Sequence, residues 1–316
     1  MTITFTSGIS FSGGVTVTAE APPSENTAAW FGGGLSGAPF YTSYSTVDRI
    51  TYATDTATAS IRGPLSLSRT QLAATGNFNY GWFGGGNGPM SSVDRITYAT
   101  DTATASVRGP LSSARRYLAA AGNTTAGWFG GGNTPNSSTV DRITYATDTA
   151  TASVRGPLSL ARYTLAAAGN TTDGWFGGGY GGGAYRSTVD RITYATDTAT
   201  AGVRGPLSAN ISQLTAASND TDGWFGGGYS GGSPRSTVQR ITYATDTATA
   251  SVRGPLSVAR YSLAAAGNTT DGWFGGGNTS GSTVDRITYA TDTATASVRG
   301  PLSATKYQLA AAGGIQ

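Results

Sequence analysis

Few side chains in this sequence of 316 residues could carry out chemistry. It contains no histidine and no cysteine, which excludes thiolate nucleophiles, disulfide bonds, zinc sites built from those residues and the Ser-His-Asp triad. Only 17 residues are acidic, and both glutamates, Glu20 and Glu25, lie in the first tenth of the chain. Because hydrolytic and metal sites need paired or clustered carboxylates, the sequence predicts no enzymatic activity, no metal site and no cofactor.

Three aspartates come nearest to a catalytic pattern. Asp173, Asp222 and Asp271 each precede Gly-Trp in an N-x-T-D-G-W string. The string loosely resembles the aspartate box of sialidases, but its spacing differs, and those boxes are structural turns. Single acids spaced far apart also make a weak calcium site. We therefore interpret these aspartates as turn residues.

The elements that position these residues repeat six times. The string R-I-T-Y-A-T-D-T-A-T-A recurs at intervals of 46 to 49 residues, with its tyrosine at Tyr52, Tyr98, Tyr145, Tyr194, Tyr243 and Tyr289. A second string, W-F-G-G-G, opens at Trp30, Trp82, Trp128, Trp175, Trp224 and Trp273. A period of this length predicts six copies of one structural unit.

Each unit is predicted to contain four short strands. In the last copy these are residues 263–266, 273–274, 283–290 and 294–299, separated by turn signals. Gly300-Pro301 ends the fourth strand, because proline cannot donate to a strand ladder. The unit shows no helical periodicity, so the sequence predicts an all-β blade.

The aromatic pair before a run of glycines, with a tyrosine in the following strand, resembles the kelch repeat. That family carries a tryptophan shortly after the tyrosine, whereas this chain has small residues there, such as Thr295 and Ala296, and places its tryptophan before the glycines. The resemblance covers residues 30–316 and implies a six-bladed β-propeller with four-stranded blades.

The chain ends favour a closed ring over a linear β-solenoid. A Leu-Ala-Ala-Ala-Gly segment at 309–313 follows the sixth unit, and no such segment precedes Trp30. We therefore predict that the C-terminal strand completes blade one as its innermost strand, which protects the sheet edges.

Comparison of the six copies shows where the sequence varies. The loops between the first and second strands and between the third and fourth strands are nearly constant, and we call the face that carries them the constant face. The loops between the second and third strands differ in every copy, and we expect them on the opposite, variable face together with the connections between blades. We predict that the variable face contacts a partner protein or a glycan through Phe40, Tyr41, Tyr44, Tyr180, Tyr185, Arg186, Tyr229 and Arg235. The alternative is that these loops vary because they contact nothing.

Other recurring residues are interpreted structurally. The tryptophans are predicted to pack between adjacent blades, and the glycine triplets to allow close backbone approach and positive φ rather than phosphate binding. One slot holds an arginine in four copies and becomes Ile211 and Lys306 in the other two, which argues against a catalytic role there.

Residues 1–20 differ in kind from the repeats. They form a predicted β arm in which apolar residues alternate with threonine and serine: Ile3, Phe5, Ile9, Phe11, Val15 and Val17. Residues 21–29 form a linker to the propeller at 30–316. Two short strands are not stable alone, so the arm is predicted to pair with its own propeller, with a second copy or with another protein.

The segment Thr2–Val15 is similar to the openings of virion proteins in tailed bacteriophages, notably those of cyanobacteria. This resemblance implies a structural or adhesion protein of the virion, such as a tail, fibre or capsid-decorating component. Its partners would be other virion proteins, reached through the arm, and a host surface glycan or protein, with several copies in the assembly. The alternative is an extracellular or cell-surface carbohydrate-binding propeller.

Charge and hydropathy exclude two other partner classes. The net charge of +3 is spread over the chain and the arginines recur singly, so we predict no nucleic-acid binding. No apolar run approaches 18 residues, and the N-terminus lacks a basic head and a continuous apolar segment. We therefore predict neither membrane insertion nor a secretory signal peptide.

Overall fold

The computed structural model describes residues 26–37, 39 and 41–313. These residues form six four-stranded antiparallel sheets. The innermost strand of each sheet contacts the innermost strands of both neighbours, and these contacts form a closed cycle. The all-β, six-bladed propeller predicted from the repeats is confirmed.

In chain order the strands are β1 (Ala28–Gly32), β2 (Val47–Thr51), β3 (Ser60–Arg62), β4 (Ala73–Gly76), β5 (Tyr80–Gly84), β6 (Val93–Thr97), β7 (Ser106–Arg108), β8 (Ala119–Gly122), β9 (Ala126–Gly130), β10 (Val140–Thr144), β11 (Ser153–Arg155), β12 (Ala166–Gly169), β13 (Asp173–Gly177), β14 (Tyr180–Gly181), β15 (Ala184–Tyr185), β16 (Val189–Thr193), β17 (Gly202–Arg204), β18 (Thr215–Ser218), β19 (Asp222–Gly226), β20 (Tyr229–Ser230), β21 (Ser233–Pro234), β22 (Val238–Thr242), β23 (Ser251–Arg253), β24 (Ala264–Gly267), β25 (Asp271–Gly275), β26 (Val284–Thr288), β27 (Ser297–Arg299) and β28 (Ala310–Ala312). From axis to rim, blade one consists of β28, β1, β2 and β3. The remaining blades each use four strands in chain order, and two small hairpins, β14–β15 and β20–β21, lie outside the blades.

The last strand closes the ring, as predicted. β28 pairs antiparallel with β1, with Trp30 opposite Ala312 and Gly32 opposite Ala310. The alanine-rich first strands suit this position, because six of them surround a narrow channel lined by leucine and alanine. The first strand of the described chain begins at Ala28, two residues inside the predicted linker.

Three details of the blade differ from the prediction for the last copy. The second strand begins at Asp271, so this aspartate and its equivalents Asp173 and Asp222 are strand residues rather than turn residues. The third strand ends at Thr288, and Tyr289 begins a single 3₁₀ turn, Tyr289–Thr291, instead of continuing the strand. The fourth strand is only three residues long, Ser297–Arg299, because the preceding residues cross the gap to the neighbouring blade. The same turn occurs in the other blades, at Tyr52–Thr54, Tyr98–Thr100, Tyr145–Thr147, Tyr194–Thr196 and Tyr243–Thr245.

That turn reaches the neighbouring blade and builds the seam between the two. Each tryptophan ring stacks on the turn tyrosine of the next blade, with ring centroids 3.7 to 3.9 Å apart. The indole Nε1 also donates to the aspartate that ends the turn, at 2.8 to 2.9 Å. Two arginines of the tryptophan's own blade contact the same aspartate, as Arg142 and Arg155 contact Asp197 at 3.1 and 3.5 Å. The tryptophans are therefore packing residues, as predicted, and each also anchors a buried carboxylate.

The glycine of each Gly-Pro step has a packing role that the sequence alone did not predict. A Cβ atom at Gly156 would overlap the carbonyl oxygen of Ala199 in the next blade, and the other five copies are equally close. We expect Gly156→Ala to lower the free energy of unfolding by about 3 kcal/mol, because the two backbones would have to separate. Urea denaturation measures the change.

Gly202→Ser is the matched control for this prediction. At Gly202 the nearest heavy atom to a Cβ lies 3.5 Å away, and the other five blades have serine there. This variant is expected to change the free energy of unfolding by less than about 1 kcal/mol. An equal loss of unfolding free energy in the two variants would contradict the close contact between the Gly156 and Ala199 backbones.

Candidate binding face

The variable face is built from two kinds of connection that hold each other in place. The loop between the second and third strands pairs with the segment that enters the same blade, through the bridges Tyr163 to Tyr180, Ser212 to Tyr229 and Tyr261 to Asn278. The variable loops therefore lie beside the entry segments and surround the mouth of the central channel.

The variable loops of blades four and five are tight hairpins. In blade four, Tyr180 pairs with Tyr185 across a turn whose central residues, Gly182 and Gly183, have φ values of 58° and 78°. Two successive positive φ values define a type I′ turn, which glycine adopts without strain and which matches the twist of paired strands. Blade five repeats the arrangement between Tyr229 and Pro234. These hairpins hold their aromatic residues rigidly above the blades.

A ring of backbone hydrogen bonds encircles the channel mouth. The residue that enters each blade donates its N–H to the carbonyl of the equivalent residue in the preceding blade, at 2.7 to 2.9 Å. All six residues have φ between 55° and 61°, the left-handed region. We call them the mouth ring: Gln71, Tyr117, Thr164, Gln213, Ser262 and Gln308.

The mouth-ring side chains also contact each other. Gln71 Nε2 donates to Gln308 Oε1 at 3.1 Å, and Ser262 Oγ donates to Gln213 Oε1 at 2.9 Å. Gln71 Oε1 has no hydrogen-bond partner among the described residues. The cavity at the mouth is only about 70 Å³. A ligand could place one group there, but most of its contacts would lie on the surrounding face.

Tyrosines form a continuous arc on that surrounding face. Neighbouring ring centroids along the arc are 5.1 to 6.4 Å apart, and all five ring pairs are tilted or edge to face. The tyrosine arc consists of Tyr117, Tyr163, Tyr180, Tyr185, Tyr229 and Tyr261. All six side chains are partly exposed, so each can contact a partner while packing on the next ring.

Charged groups lie close to the arc. The Arg116 guanidinium lies 5.6 Å from the Tyr117 ring centroid. Burial raises the pKa of the Tyr117 hydroxyl above its ordinary value of 10, and Arg116 opposes that shift. Tyr307 precedes Gln308 of the mouth ring, and burial also raises the pKa of its hydroxyl. Both hydroxyls are therefore protonated at neutral pH and can donate a hydrogen bond.

The structure places the predicted binding residues in different ways. Tyr180, Tyr185 and Tyr229 belong to the arc. Arg186 and Arg235 donate to carbonyls of their own hairpins, to Gly181 O at 2.8 Å and to Ser230 O at 3.0 Å.

The remaining predicted residues lie in or near blade one. Tyr41 is 59 % exposed, and the Tyr44 ring lies beside the Lys306 ammonium, with the centroid 5.5 Å from Nζ. Phe40 and the arm residues fall outside the described part of the chain.

Sequence reasoning missed half of the arc. Tyr117, Tyr163 and Tyr261 come from the connections between blades, which were predicted to lie on the variable face but from which no binding residue was predicted. The available signal was the two positions after the recurring Ala-Arg residues; these positions differ among the copies and lead into the first strand.

Within the described residues, no three aspartates or glutamates converge as a metal site would require. None of the helices in this part of the chain is long and apolar enough to cross a membrane.

Comparison with known proteins supports the fold alone. No protein-family model and no curated protein matches the sequence, so the kelch resemblance stays a prediction. Solved structures do match, in 381 chains, and one of them is YjhT. That structure superposes with a TM-score of 0.66 at 9 % identity, over 78 % of this chain and 88 % of the YjhT chain. The chain thus has a widely shared propeller fold, and its function must be argued from its own surface.

Proposed function

We propose that this protein is a non-enzymatic binding propeller of a tailed-phage virion. The N-terminal arm anchors it to other virion proteins, and the variable face holds a neighbouring virion protein or the host surface. The observation that carries the binding role is the tyrosine arc around the channel mouth. The virion setting rests on the sequence similarity of residues 2–15.

The arc has the chemistry of a protein-binding surface. Tyrosine offers a large ring and a hydroxyl at a low cost in side-chain entropy, and it is enriched among residues that dominate binding energy. Packing of each ring on the next fixes its orientation before the partner arrives, which reduces the entropy lost on binding. On the constant face, by contrast, the six copies present nearly the same threonine-rich turns.

The mouth ring favours glycan binding as a second candidate function. Sugars stack on aromatic rings and exchange hydrogen bonds with side-chain amides, and here Gln71, Gln213 and Gln308 lie beside the arc. The side-chain amides of these glutamines contain both donors and acceptors for sugar hydroxyls.

Deletion of residues 1–21 separates the two candidates. Under the virion proposal the truncated protein keeps a folded propeller but is not incorporated into particles, which mass spectrometry of purified virions would show. Binding of the free truncated propeller to a glycan array, with no protein in particles of either form, would support the carbohydrate-binding alternative instead.

The arc itself is tested by the triple variant Tyr180→Ser, Tyr185→Ser and Tyr229→Ser. Three contacts of this type each contribute on the order of 1 kcal/mol or more, so we expect affinity for virions or host cells to fall at least about 100-fold. The corresponding Tyr→Phe variant keeps the rings and should retain most of the binding. The measurement is attachment of labelled propeller to host cells and to particles that lack it.

Rim substitutions provide the matched control. Val107, Val154 and Val203 are about 60 % exposed on the outermost strands, and their replacement by serine should leave attachment unchanged. Unaltered attachment of the triple tyrosine variant would contradict a binding role for the arc.

A further inference from the structure

A cavity of about 630 Å³ opens on the constant face, at the seam between blades three and four. Its volume lies in the range of about 300 to 1,000 Å³ that is typical of small-molecule sites. One wall contains Trp128 and Tyr194, whose rings stack with centroids 3.8 Å apart. Arg142, Thr144 and Ala126 line the cavity from blade three. This cavity lies on the opposite face from the tyrosine arc.

The residue two positions before the tryptophan sets this seam apart. In blades four to six that residue is aspartate: Asp173, Asp222 and Asp271. Asp173 Oδ1 accepts a hydrogen bond from Thr193 Oγ1 at 2.5 Å and lies 3.6 Å from Arg191 Nε. Asp222 and Asp271 make the same two contacts in their blades. The carboxylate therefore bridges a threonine and an arginine of the third strand.

Blade three has Ala126 in place of that aspartate. Ala126 lies opposite Thr144 in the strand register and offers it no acceptor. Arg142 contacts Asp197 through its NH1 group at 3.1 Å, but among the described residues it has no second ion pair like the one between Arg191 Nε and Asp173. Thr144 and Arg142 thus correspond to Thr193 and Arg191, without the carboxylate between them.

The charge of the seam changes accordingly. Between blades four and five, Arg191 and Arg204 are balanced by Asp246 and Asp173. Between blades three and four, Arg142 and Arg155 pair with Asp197 alone among the described residues, so these two arginines have one carboxylate fewer. A partly buried guanidinium that lacks a second carboxylate attracts an anion. The attraction is screened by salt less than it would be between two charges on the open surface.

Blades one and two also lack the aspartate. In blade two the position holds Tyr80, whose ring centroid lies 4.5 Å from the Arg95 guanidinium carbon and covers it. In blade one it holds Ala28, which lies opposite Thr51, and Arg49 NH1 lies 3.1 Å from Asp101, as in blade three. The inference concerns the seam between blades three and four, where the cavity lies.

We propose that this seam binds a small ligand that carries a carboxylate. The ligand's carboxylate takes the place of the missing aspartate, accepting from Thr144 Oγ1 and the partly exposed Arg142 guanidinium, and the rest of the ligand fills the cavity beside Trp128. A sugar acid and an acidic amino-acid side chain share this chemistry. The site does not depend on the proposed role of the variable face, since it uses none of the same residues.

The test uses the full-length protein with two probes, glucuronate and N-acetylaspartate, and with glucose as the uncharged control. Isothermal titration calorimetry gives the affinities, and crystals soaked in each probe locate the carboxylate. We expect at least one acidic probe to bind at millimolar concentration with its carboxylate against Arg142 and Thr144, and glucose not to bind there. The probe that binds distinguishes a sugar acid from an acidic side chain.

Two variants copy arrangements that the protein already contains. Ala126→Asp reproduces blades four to six and should weaken binding at this seam at least about tenfold, because the new carboxylate occupies the site and repels the probe. Asp173→Ala reproduces blade three and should create a second site at the next seam. Absence of both acidic probes from the seam, equal binding by A126D, or no second site in D173A would each overturn the proposal.

Discussion

Arg162→Ile is expected to lower the free energy of unfolding by about 3 to 5 kcal/mol, because it leaves Asp190 buried without its counter-ion. Both side chains of this pair are fully buried, and Arg162 NH2 lies 2.9 Å from Asp190 Oδ2. The same guanidinium donates to the carbonyl oxygens of Phe176 and Thr188, at 2.9 and 2.6 Å. Isoleucine can satisfy none of these acceptors.

Blade five has an uncharged pair of residues at the equivalent positions. There the two positions are Ile211 and Gln239, both buried, and Gln239 Oε1 accepts from the N–H and the hydroxyl of Ser208. The double variant Arg162→Ile, Asp190→Gln copies this arrangement and should unfold within about 1 kcal/mol of the parent, since replacing a buried ion pair as a whole is often neutral. Urea denaturation gives the free energy of unfolding of the parent, both single variants and the double variant. Together the four values form a double-mutant cycle. A double variant as unstable as R162I would show that the two positions are not coupled.

Deletion of residues 309–316 is expected to destabilise the propeller by roughly 5 kcal/mol or more, because it removes the buried Leu309 together with the strand that completes blade one. The exposed edge of β1 would then pair with other chains, so we also expect the protein to aggregate on heating. Thermal unfolding followed by circular dichroism, with light scattering, measures both effects.

A shorter deletion, of residues 314–316, is the control, because it leaves β28 intact. A synthetic peptide covering residues 303–316 should restore the thermal stability of the longer truncation, because it supplies the missing strand. If both truncations melted at the parent temperature, β28 would not be what closes the ring.

The repeats made the fold predictable from sequence, and they also limited the prediction. Period, strand count and the surplus segment at 309–313 together fixed six blades and the closing strand. The aspartate partner of each tryptophan was not predictable in the same way. Because Asp101 and Asp55 occur in identical strings, the sequence cannot tell whether Trp30 meets the aspartate of its own repeat or of the next. Only the geometry of the ring selects Asp101.

The binding face was partly predictable for a related reason. The variable loops stood out by comparison of the copies, and Gly182-Gly183 between aromatic residues was an available hairpin signal. The mouth ring was not predictable, because glutamine, tyrosine, threonine and serine have no strong preference for the left-handed region. Hydrogen bonds between blades impose that conformation, and these bonds cannot be recognised from the local sequence.

Every link of the mouth ring is a backbone hydrogen bond, so the side chains can differ without breaking the ring. Residues as unlike as Tyr117 and Ser262 occupy equivalent places with nearly the same φ and the same backbone hydrogen bond. The propeller thus presents six side chains around one axis, each of which can be substituted on the same backbone ring. Its specificity can be changed one side chain at a time, while the frame that presents those side chains keeps its shape.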